Sequence, residues 1–395
     1  MLHDDLTLLG LLLFVAAVVA MLTQRFKLPY SVGLMLAGVV LAFVPLPFTL
    51  PLSRDLIFDV LLPPIVFEAA LNIHWHDLRR NFPVVGLLSS VGVVIAAAVA
   101  TAGMHFLAGW NWTIAALFGT LIAATDPVSV IATFKRVNID PRLHLLVESE
   151  SLFNDGTAAV AFAVVLAVAG GRSSGIGSIG GSLVWMILGG VACGASIALL
   201  LLLLARRTAD SVVELTLTTL IAYGSFLIAD RLAMSGVLAT LTAGLIVGNS
   251  KELGSSTERG RVSVYAYWAY LAFLADSLIF LLLGAQTARQ PFLDVLWPAA
   301  VAVVVVLAGR AIAIYPLSMS FWRSKLKVDI RHQHILVWGG LRGALALGLA
   351  LGLPQDLPGR ATVITVAFAV VAFSIFVQGL TMTPLLRHLG LIRAE

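Results

Sequence analysis

Charged residues are scarce in this sequence. Asp, Glu, Lys and Arg together make up 12% of the 395 residues, against roughly 25% in an average soluble domain. Hydrophobic residues make up 59%, and they form many runs as long as a bilayer-spanning helix. This composition excludes a soluble globular protein and predicts an integral membrane protein whose surface contacts lipid.

Cysteine and enzyme signatures are equally scarce. The single cysteine, Cys193, lies in an apolar run, which excludes a disulfide framework and zinc sites of the C-x-x-C type. No H-E-x-x-H motif occurs, and the histidines fall mostly near helix ends and in loops. We therefore expect no enzyme activity and no cofactor. The net charge of +4 is explained by membrane orientation, so no nucleic-acid partner is expected.

Apolar runs of near-spanning length predict thirteen transmembrane helices. Their approximate ranges are 6–24, 28–44, 55–73, 82–108, 112–134, 142–169, 179–205, 211–229, 236–249, 262–287, 295–321, 332–352 and 361–386. Most of the 25 basic residues then fall on one side, whereas Arg54, Arg172, Arg231, Arg289 and Arg360 fall on the other. Because cytoplasmic loops are enriched in Lys and Arg, the N-terminus is predicted outside and the C-terminus in the cytoplasm.

Two of the predicted helices contain helix-breaking residues. Helix five has Asp126 beside Pro127 in "LIAATDPVSVIATF", and helix twelve has Arg342 among three glycines in "VWGGLRGALALGLA". Because the two lie seven places apart, helices one to six and eight to thirteen would cross the membrane in opposite senses. Such pairs are typical of secondary transporters. The sequence predicts an all-α membrane protein of two inverted six-helix repeats, in which the discontinuous helices five and twelve cross.

A crossing of broken helices gives Asp126 and Arg342 a physical role. Half-helix N-termini have positive partial charge and half-helix C-termini have negative partial charge. Arg342 is therefore predicted to compensate the C-terminal ends. Two interpretations of Asp126 stay open: it neutralises the N-terminal ends without contacting a substrate, or it forms part of an ion site.

Asp155 lies deep in predicted helix six. It is about thirteen residues, or roughly 20 Å at helical rise, from the cytoplasmic start near Arg142, and Asp126 reaches a similar depth from the other side. No basic residue lies at helical spacing from Asp155, so this carboxylate should hold either a proton or a cation. Ser151, one turn earlier, shares its face. The alternative is a neutral Asp155 that hydrogen-bonds a neighbouring helix.

The remaining intramembrane charges divide into structural and functional candidates. Glu150 is predicted to pair with Arg310, and we interpret this pair, like Arg342, as structural. Glu68 is either a ligand that faces the ion site or a side chain that extends to the interface. Asp276 shows no obvious partner in the sequence and is expected to make a local hydrogen bond.

Four motifs then point to a family. In chain order they are "LLPPIVFEAAL", "ATDPVSV", "ESLFNDG" and "WGGLRGALALGLA". Together they resemble the monovalent cation:proton antiporters of the NhaP and sodium/proton exchanger type, over essentially the whole chain. The resemblance implies a homodimeric secondary antiporter of the cell (inner) membrane that exchanges Na⁺ or Li⁺, sometimes K⁺, for H⁺ by alternating access.

The resemblance also assigns residues and domains. The positions that match the family's sodium site are Asp155, Asp126, Ser151, Thr125 and Glu68. Asn154 would orient the site, and Glu150 with Arg310 resembles the family's ion pair between helices six and eleven. Residues 1–395 would form one transporter domain, with dimerisation-type helices in 1–78 and 211–290, a connecting helix at 179–205, and ion-transporting core helices in 82–169 and 295–390.

The stoichiometry follows from one position. Related electrogenic antiporters carry two adjacent aspartates where this chain has Asn154 and Asp155, so the resemblance is to the electroneutral, one-for-one branch. An electrogenic antiporter stays an alternative, because Asp126 and Glu68 are also able to titrate. A cation channel is the other alternative, although no carbonyl-ring filter sequence occurs and the inverted repeat favours alternating access.

Overall fold

All regular secondary structure in the described part of the chain is helical. The computed structural model describes residues 2–26, 28–44, 52–134, 137, 139–171, 175–207, 210–250 and 258–392, and no β-strand occurs among them. The α-helices are α1 Leu2–Phe26, α2 Tyr30–Leu41, α3 Leu62–Asn72, α4 Trp75–Ala108, α5 Trp112–Leu121, α6 Val128–Phe134, α7 Pro141–Ala169, α8 Ile176–Ala205, α9 Ser211–Arg231, α10 Gly236–Asn249, α11 Glu258–Thr287, α12 Leu296–Met319, α13 Ile330–Trp338, α14 Ala344–Leu351, α15 Arg360–Phe373 and α16 Gly379–His388. A 3₁₀ turn, Phe292–Val295, precedes α12, and π-helical segments, Leu56–Leu61 and Ser374–Gln378, precede α3 and α16.

Eight helical stretches in this part of the chain are long and apolar enough to cross a membrane. They are Leu9–Phe26, Trp75–Ala108, Pro141–Ala169, Gly177–Ala205, Ser211–Arg231, Gly260–Thr287, Phe292–Met319 and Arg360–His388. Shorter apolar helices occur at Tyr30–Leu41, Trp112–Leu121 and Gly236–Asn249. The protein is therefore an all-helical, multi-pass membrane protein.

Predicted helices five and twelve are each interrupted in the structure. The first divides into α5 and α6, and residues 122–127 between them are not helical. The second divides into α13 and α14, with non-helical backbone at residues 339–343. Pro127 and the glycines around Arg342 lie at these interruptions, where the sequence predicted them.

The segment before α3, Leu56–Leu61, is irregular for a reason visible in the sequence. Pro64 has no amide hydrogen, so it cannot donate the usual helical hydrogen bond to the carbonyl of Val60. The preceding segment is π-helical, and the hydroxyl of Tyr223 on α9 donates to that carbonyl at 3.0 Å. A side chain thus satisfies the backbone group that the proline leaves over.

Helix α4 begins earlier than predicted. The apolar pattern predicts a start near residue 82, before Pro83, but the helix begins at Trp75 and Pro83 lies inside it. The amide of Trp75 donates to the side chain of Asn249 on α10 at 2.7 Å, and the Asn249 amide donates to Ile73 at 2.9 Å. A contact from a distant helix therefore caps α4, which local sequence does not show.

Helix packing places α7 at the centre of the site. Helix α4 packs along α12, α2 packs along α11, and α10 packs along both α3 and α8. Helix α7 contacts α4, α5, α8, α10 and α14. Asp155 lies near the middle of this helix, among elements from both halves of the chain.

Candidate functional site

The two interruptions lie against each other. The amide of Asp126, between α5 and α6, donates to the carbonyl of Leu341, between α13 and α14, at 2.8 Å. Thr125 and Leu341 are buried. Irregular backbone is tolerated at membrane depth where other protein groups satisfy its hydrogen bonds, and this contact does so directly.

Arg342 lies at the C-terminal end of α5. Its Nη1 donates to the carbonyls of Ala123 and Ala124 at 2.6 and 2.9 Å, and its side chain is 2% exposed. Carbonyls past the end of a helix have no partner within the helix and carry negative partial charge. The guanidinium occupies the position that the sequence analysis expected for a compensating cation, and its structural role stays a prediction.

Asp126 lies where two helices begin. Its Oδ1 accepts a hydrogen bond from the amide of Val128 at 2.9 Å, which caps the start of α6. Its carboxylate also contacts Gly343, directly before α14: a Cβ atom at that position would overlap the carboxyl group. Gly343 thus makes room for Asp126, which faces the positive ends of both α6 and α14.

Asp155 faces the crossing from the middle of α7. Its side chain is half-buried, and within the described part of the chain its Oδ1 has no hydrogen-bond partner. One turn earlier on α7, the hydroxyl of Ser151 donates to the carbonyl of Thr125 at 2.5 Å and lies 3.0 Å from the Thr125 hydroxyl. The structure therefore brings Asp155, Ser151, Thr125 and Asp126 to one place.

A cavity of about 330 Å³ opens beside these residues, and we call it the acidic cavity. The carboxylates that line it are Glu68, Asp126, Glu148, Asp155 and Asp276. No lysine or arginine is among its lining residues. Negative charge concentrated in a cleft with apolar walls raises the local concentration of cations. The acidic cavity is thus suited to admit a cation and to exclude an anion.

Glu68 lies on the wall of the acidic cavity, on α3. The side-chain amide of Asn72, one turn later, donates to Glu68 Oε1 at 2.8 Å. Of the two interpretations that the sequence left open, this position corresponds to the one in which Glu68 faces the site.

Two acidic residues of the acidic cavity were not predicted as part of the site. Asp276 was expected to have only a local role, but α11 places it on the same wall as Ala269, Ala272 and Phe280. Glu148 lies on α7 with Leu152 and Asp155, at the i, i+4, i+7 spacing of one helix face. That spacing is readable in "VESESLFND", so Glu148 could have been found from the sequence.

The ion pair of Glu150 and Arg310 lies behind the site. Arg310 Nη1 and Nη2 donate to the two carboxylate oxygens of Glu150 at 2.7 and 2.6 Å. Arg310 is 5% exposed and Glu150 is 1% exposed. Asn154 donates to the same carboxylate at 3.2 Å. Asn154 therefore contacts the ion pair and is not among the residues that line the acidic cavity.

Comparisons with known proteins agree with this geometry. Residues 11–388 match the family described as "Sodium/hydrogen exchanger, transmembrane". The Na⁺/H⁺ antiporter ApNhaP of Aphanothece halophytica is 38% identical over 371 residues, which cover 93% of this chain and 70% of that protein. The Na⁺/H⁺ antiporter NhaH of Halobacillus aidingensis is 32% identical, over 98% of this chain and 99% of its own.

The fold is also that of a solved structure. The sodium proton antiporter MjNhaP1 from Methanocaldococcus jannaschii superimposes with a TM-score of 0.78 at 20% sequence identity, over 100% of both chains. At this identity the likeness shows the fold alone, and the family assignment depends on the sequence matches. Because those matches cover nearly the whole chain, it belongs to the sodium/hydrogen exchanger family of membrane antiporters.

Proposed function

We propose that this protein exchanges Na⁺ or Li⁺, and K⁺ as a further candidate, for H⁺, and that Asp155 carries both ions in turn. The observation that supports this is Asp155 itself: one of its carboxylate oxygens has no hydrogen-bond partner among the described residues, and it lies beside a cavity whose charged lining residues are all acids. A buried carboxylate without compensation is costly, so it binds either a proton or a metal cation.

The proposed cation ligands are oxygen atoms around Asp155. They come from Asp155, Asp126, Ser151, the carbonyl of Thr125 and Glu68. Hard monovalent cations are bound by carboxylate, hydroxyl and carbonyl oxygens, as hard divalent cations are. The Ser151 hydroxyl donates to the carbonyl of Thr125, and both oxygens keep a lone pair with which they could bind a cation. Asn154 would keep the site in place through its contact with Glu150.

One-for-one exchange follows if Asp155 is the only group that must change its proton. Its carboxylate accepts a proton or a cation but not both, so each cation taken up releases one proton and the cycle moves no net charge. Asn154 adds hydrogen bonds without a second titrating group. The alternative, an electrogenic antiporter, is favoured by the further carboxylates of the acidic cavity, such as Glu68 and Asp126.

The architecture proposed for this activity comprises thirteen transmembrane helices in two inverted six-helix repeats. The crossing of α5–α6 with α13–α14 supports it, because each repeat would contribute one broken helix in fifth place. Residues 82–169 and 295–390 would form the moving core, residues 1–78 and 211–290 the dimerisation part of a homodimer, and 179–205 the connecting helix. We place the protein in the cell membrane with the C-terminus in the cytoplasm, which puts the start of α7, and with it the Glu148 wall of the acidic cavity, on the cytoplasmic side.

The experiment is exchange in proteoliposomes with Na⁺, Li⁺ and K⁺ in turn, read by a pH-sensitive dye inside the vesicles. We expect cation-driven proton flux from the wild type and none from Asp155→Asn, which keeps the shape of the side chain but loses its charge. Repeating the assay at several clamped membrane potentials tests the stoichiometry. Undiminished flux in folded Asp155→Asn would refute the assignment, and a rate that depends steeply on potential would favour the electrogenic alternative.

A further inference from the structure

A second cavity lies farther along α7 and α14, two of the helices that line the acidic cavity. Its volume is about 250 Å³, and we call it the distal cavity. Its charged lining residues are Arg54 and Asp230, both exposed, so the distal cavity reaches the protein surface. The two cavities share no lining residue.

The order of lining residues along α7 shows how close the cavities are. The acidic cavity touches Glu148, Leu152 and Asp155, and the distal cavity touches α7 from Ala159 to Leu166. Ala159 is four positions after Asp155, a rise of roughly 6 Å at 1.5 Å per residue. About one helical turn therefore divides the two spaces.

Helix α14 repeats this order. Its start, 343–346, lines the acidic cavity, whereas Leu349 and Gly352 line the distal cavity. On both helices, a single glycine lies between the two sets of lining residues: Gly156 on α7 and Gly348 on α14.

Each of these glycines is covered by a large side chain from another part of the fold. A Cβ atom on Gly156 would overlap the side chain of Leu238 on α10. A Cβ atom on Gly348 would lie 2.8 Å from Phe58 and 3.0 Å from Ile57, both in the π-helical segment before α3. Leu238 and Phe58 are each 7% exposed. The layer between the cavities is thus closed by two side chains that rest directly on helix backbone.

We propose that Leu238 on Gly156 and Phe58 on Gly348 form the barrier that closes the ion site to the distal cavity, and that the distal cavity is the second access path of the transporter. This inference depends on the exchange proposed above. Movement of α7 and α14 by about one turn, roughly 5.4 Å, would carry Asp155 past Leu238 and expose it to the distal cavity. Glycine at both positions leaves no side chain to obstruct that movement.

The first test removes the barrier at α7 with Leu238→Ala in the full-length protein. Without the leucine, Asp155 becomes accessible from both sides at once, so vesicles should lose an imposed pH gradient several-fold faster than the wild type in the absence of transported cations. The matched control is Leu241→Ala, the same change at a buried position on the same helix. If Leu238→Ala does not fold, Leu238→Val and Leu241→Val replace the pair. An equal leak in both members of the folded pair would overturn the proposal.

The second test adds a methyl group to the α14 part of the barrier with Gly348→Ala. The added methyl group meets Phe58, so we expect the exchange rate to fall roughly tenfold by overpacking of the closed state, and Phe58→Leu in the same chain to restore part of it. Gly224→Ala is the control, because nothing lies within 4 Å of a Cβ atom there. Equal exchange in Gly348→Ala and Gly224→Ala would also count against the barrier. Wild-type protein that fails to exchange would instead refute the proposed function.

Discussion

The ion pair between Glu150 and Arg310 should contribute more to stability than any other charge contact described above. Both charges are almost fully buried, and the guanidinium makes two short hydrogen bonds to the carboxylate. Removing one partner leaves the other charge in a low-dielectric interior, which costs about 3–5 kcal/mol. In Glu150→Gln, Arg310 keeps its bond to the carbonyl of Leu336. In Arg310→Met, Glu150 keeps the donor from Asn154, so neither loss should exceed this range.

The assay is thermal unfolding of the purified protein in detergent. At roughly 2 °C per kcal/mol for a large domain, each single variant should lower the midpoint by about 6–10 °C. The double variant Glu150→Gln with Arg310→Met, which removes both charges, should recover part of that loss. Asp55→Asn is the control, because the Arg54–Asp55 contact is 3.8 Å long and solvent-exposed, and such pairs contribute about 0–1 kcal/mol. Single variants that melt with the wild type would refute the reasoning.

Three further predictions concern the crossing and the ion site. In Gly343→Ala the new methyl group displaces the Asp126 carboxylate, so exchange should fall roughly tenfold or more, while Gly224→Ala exchanges normally; equal rates would contradict this. Arg342→Gln leaves the carbonyls of Ala123 and Ala124 with weaker donors and should lower stability by about 1–3 kcal/mol in the same melting assay, whereas an unchanged midpoint would exclude the compensating role. In the proposed exchange, protons and cations compete for Asp155, so lowering the pH through its titration should weaken apparent Na⁺ affinity, by roughly tenfold per pH unit at the acidic side. Affinities measured from the Na⁺ dependence of exchange at several pH values would contradict this if they did not change.

Much of the site was predictable because charges inside a membrane are rare and each needs a physical explanation. Asp126 and Arg342 were identified from the helix breakers beside them, and Asp155 from its depth and its lack of a basic residue at helical spacing; the structure brings all three to the crossing. The pairing of Glu150 with Arg310 was predicted because an isolated guanidinium in an apolar helix requires a carboxylate. Composition and charge placement therefore predicted these residues without any knowledge of helix packing.

The remaining features depend on contacts that local sequence does not record. Asp276 lies on the acidic cavity because α11 packs there against α2 and α3, and its own neighbours in sequence do not determine which face of α11 does so. The start of α4 was misplaced because its cap is Asn249, from a helix far along the chain. The hydroxyl that donates to the π-helical segment before α3 belongs to Tyr223 on α9, so only the prolines of this region could be read locally.

The early start of α4 has a consequence for how the protein lies in a bilayer. Its 34 residues measure roughly 51 Å at helical rise, whereas a bilayer's hydrocarbon layer is about 30 Å thick. Even at a tilt of about 40°, the upper end of the usual range, the helix would rise roughly 39 Å. At that tilt each residue rises about 1.15 Å along the membrane normal, so the remaining distance of about 9 Å corresponds to about eight residues beyond the hydrocarbon. The helix begins with "WHDLRRNF", a stretch of that length, which places Arg79 and Arg80 in the headgroup region.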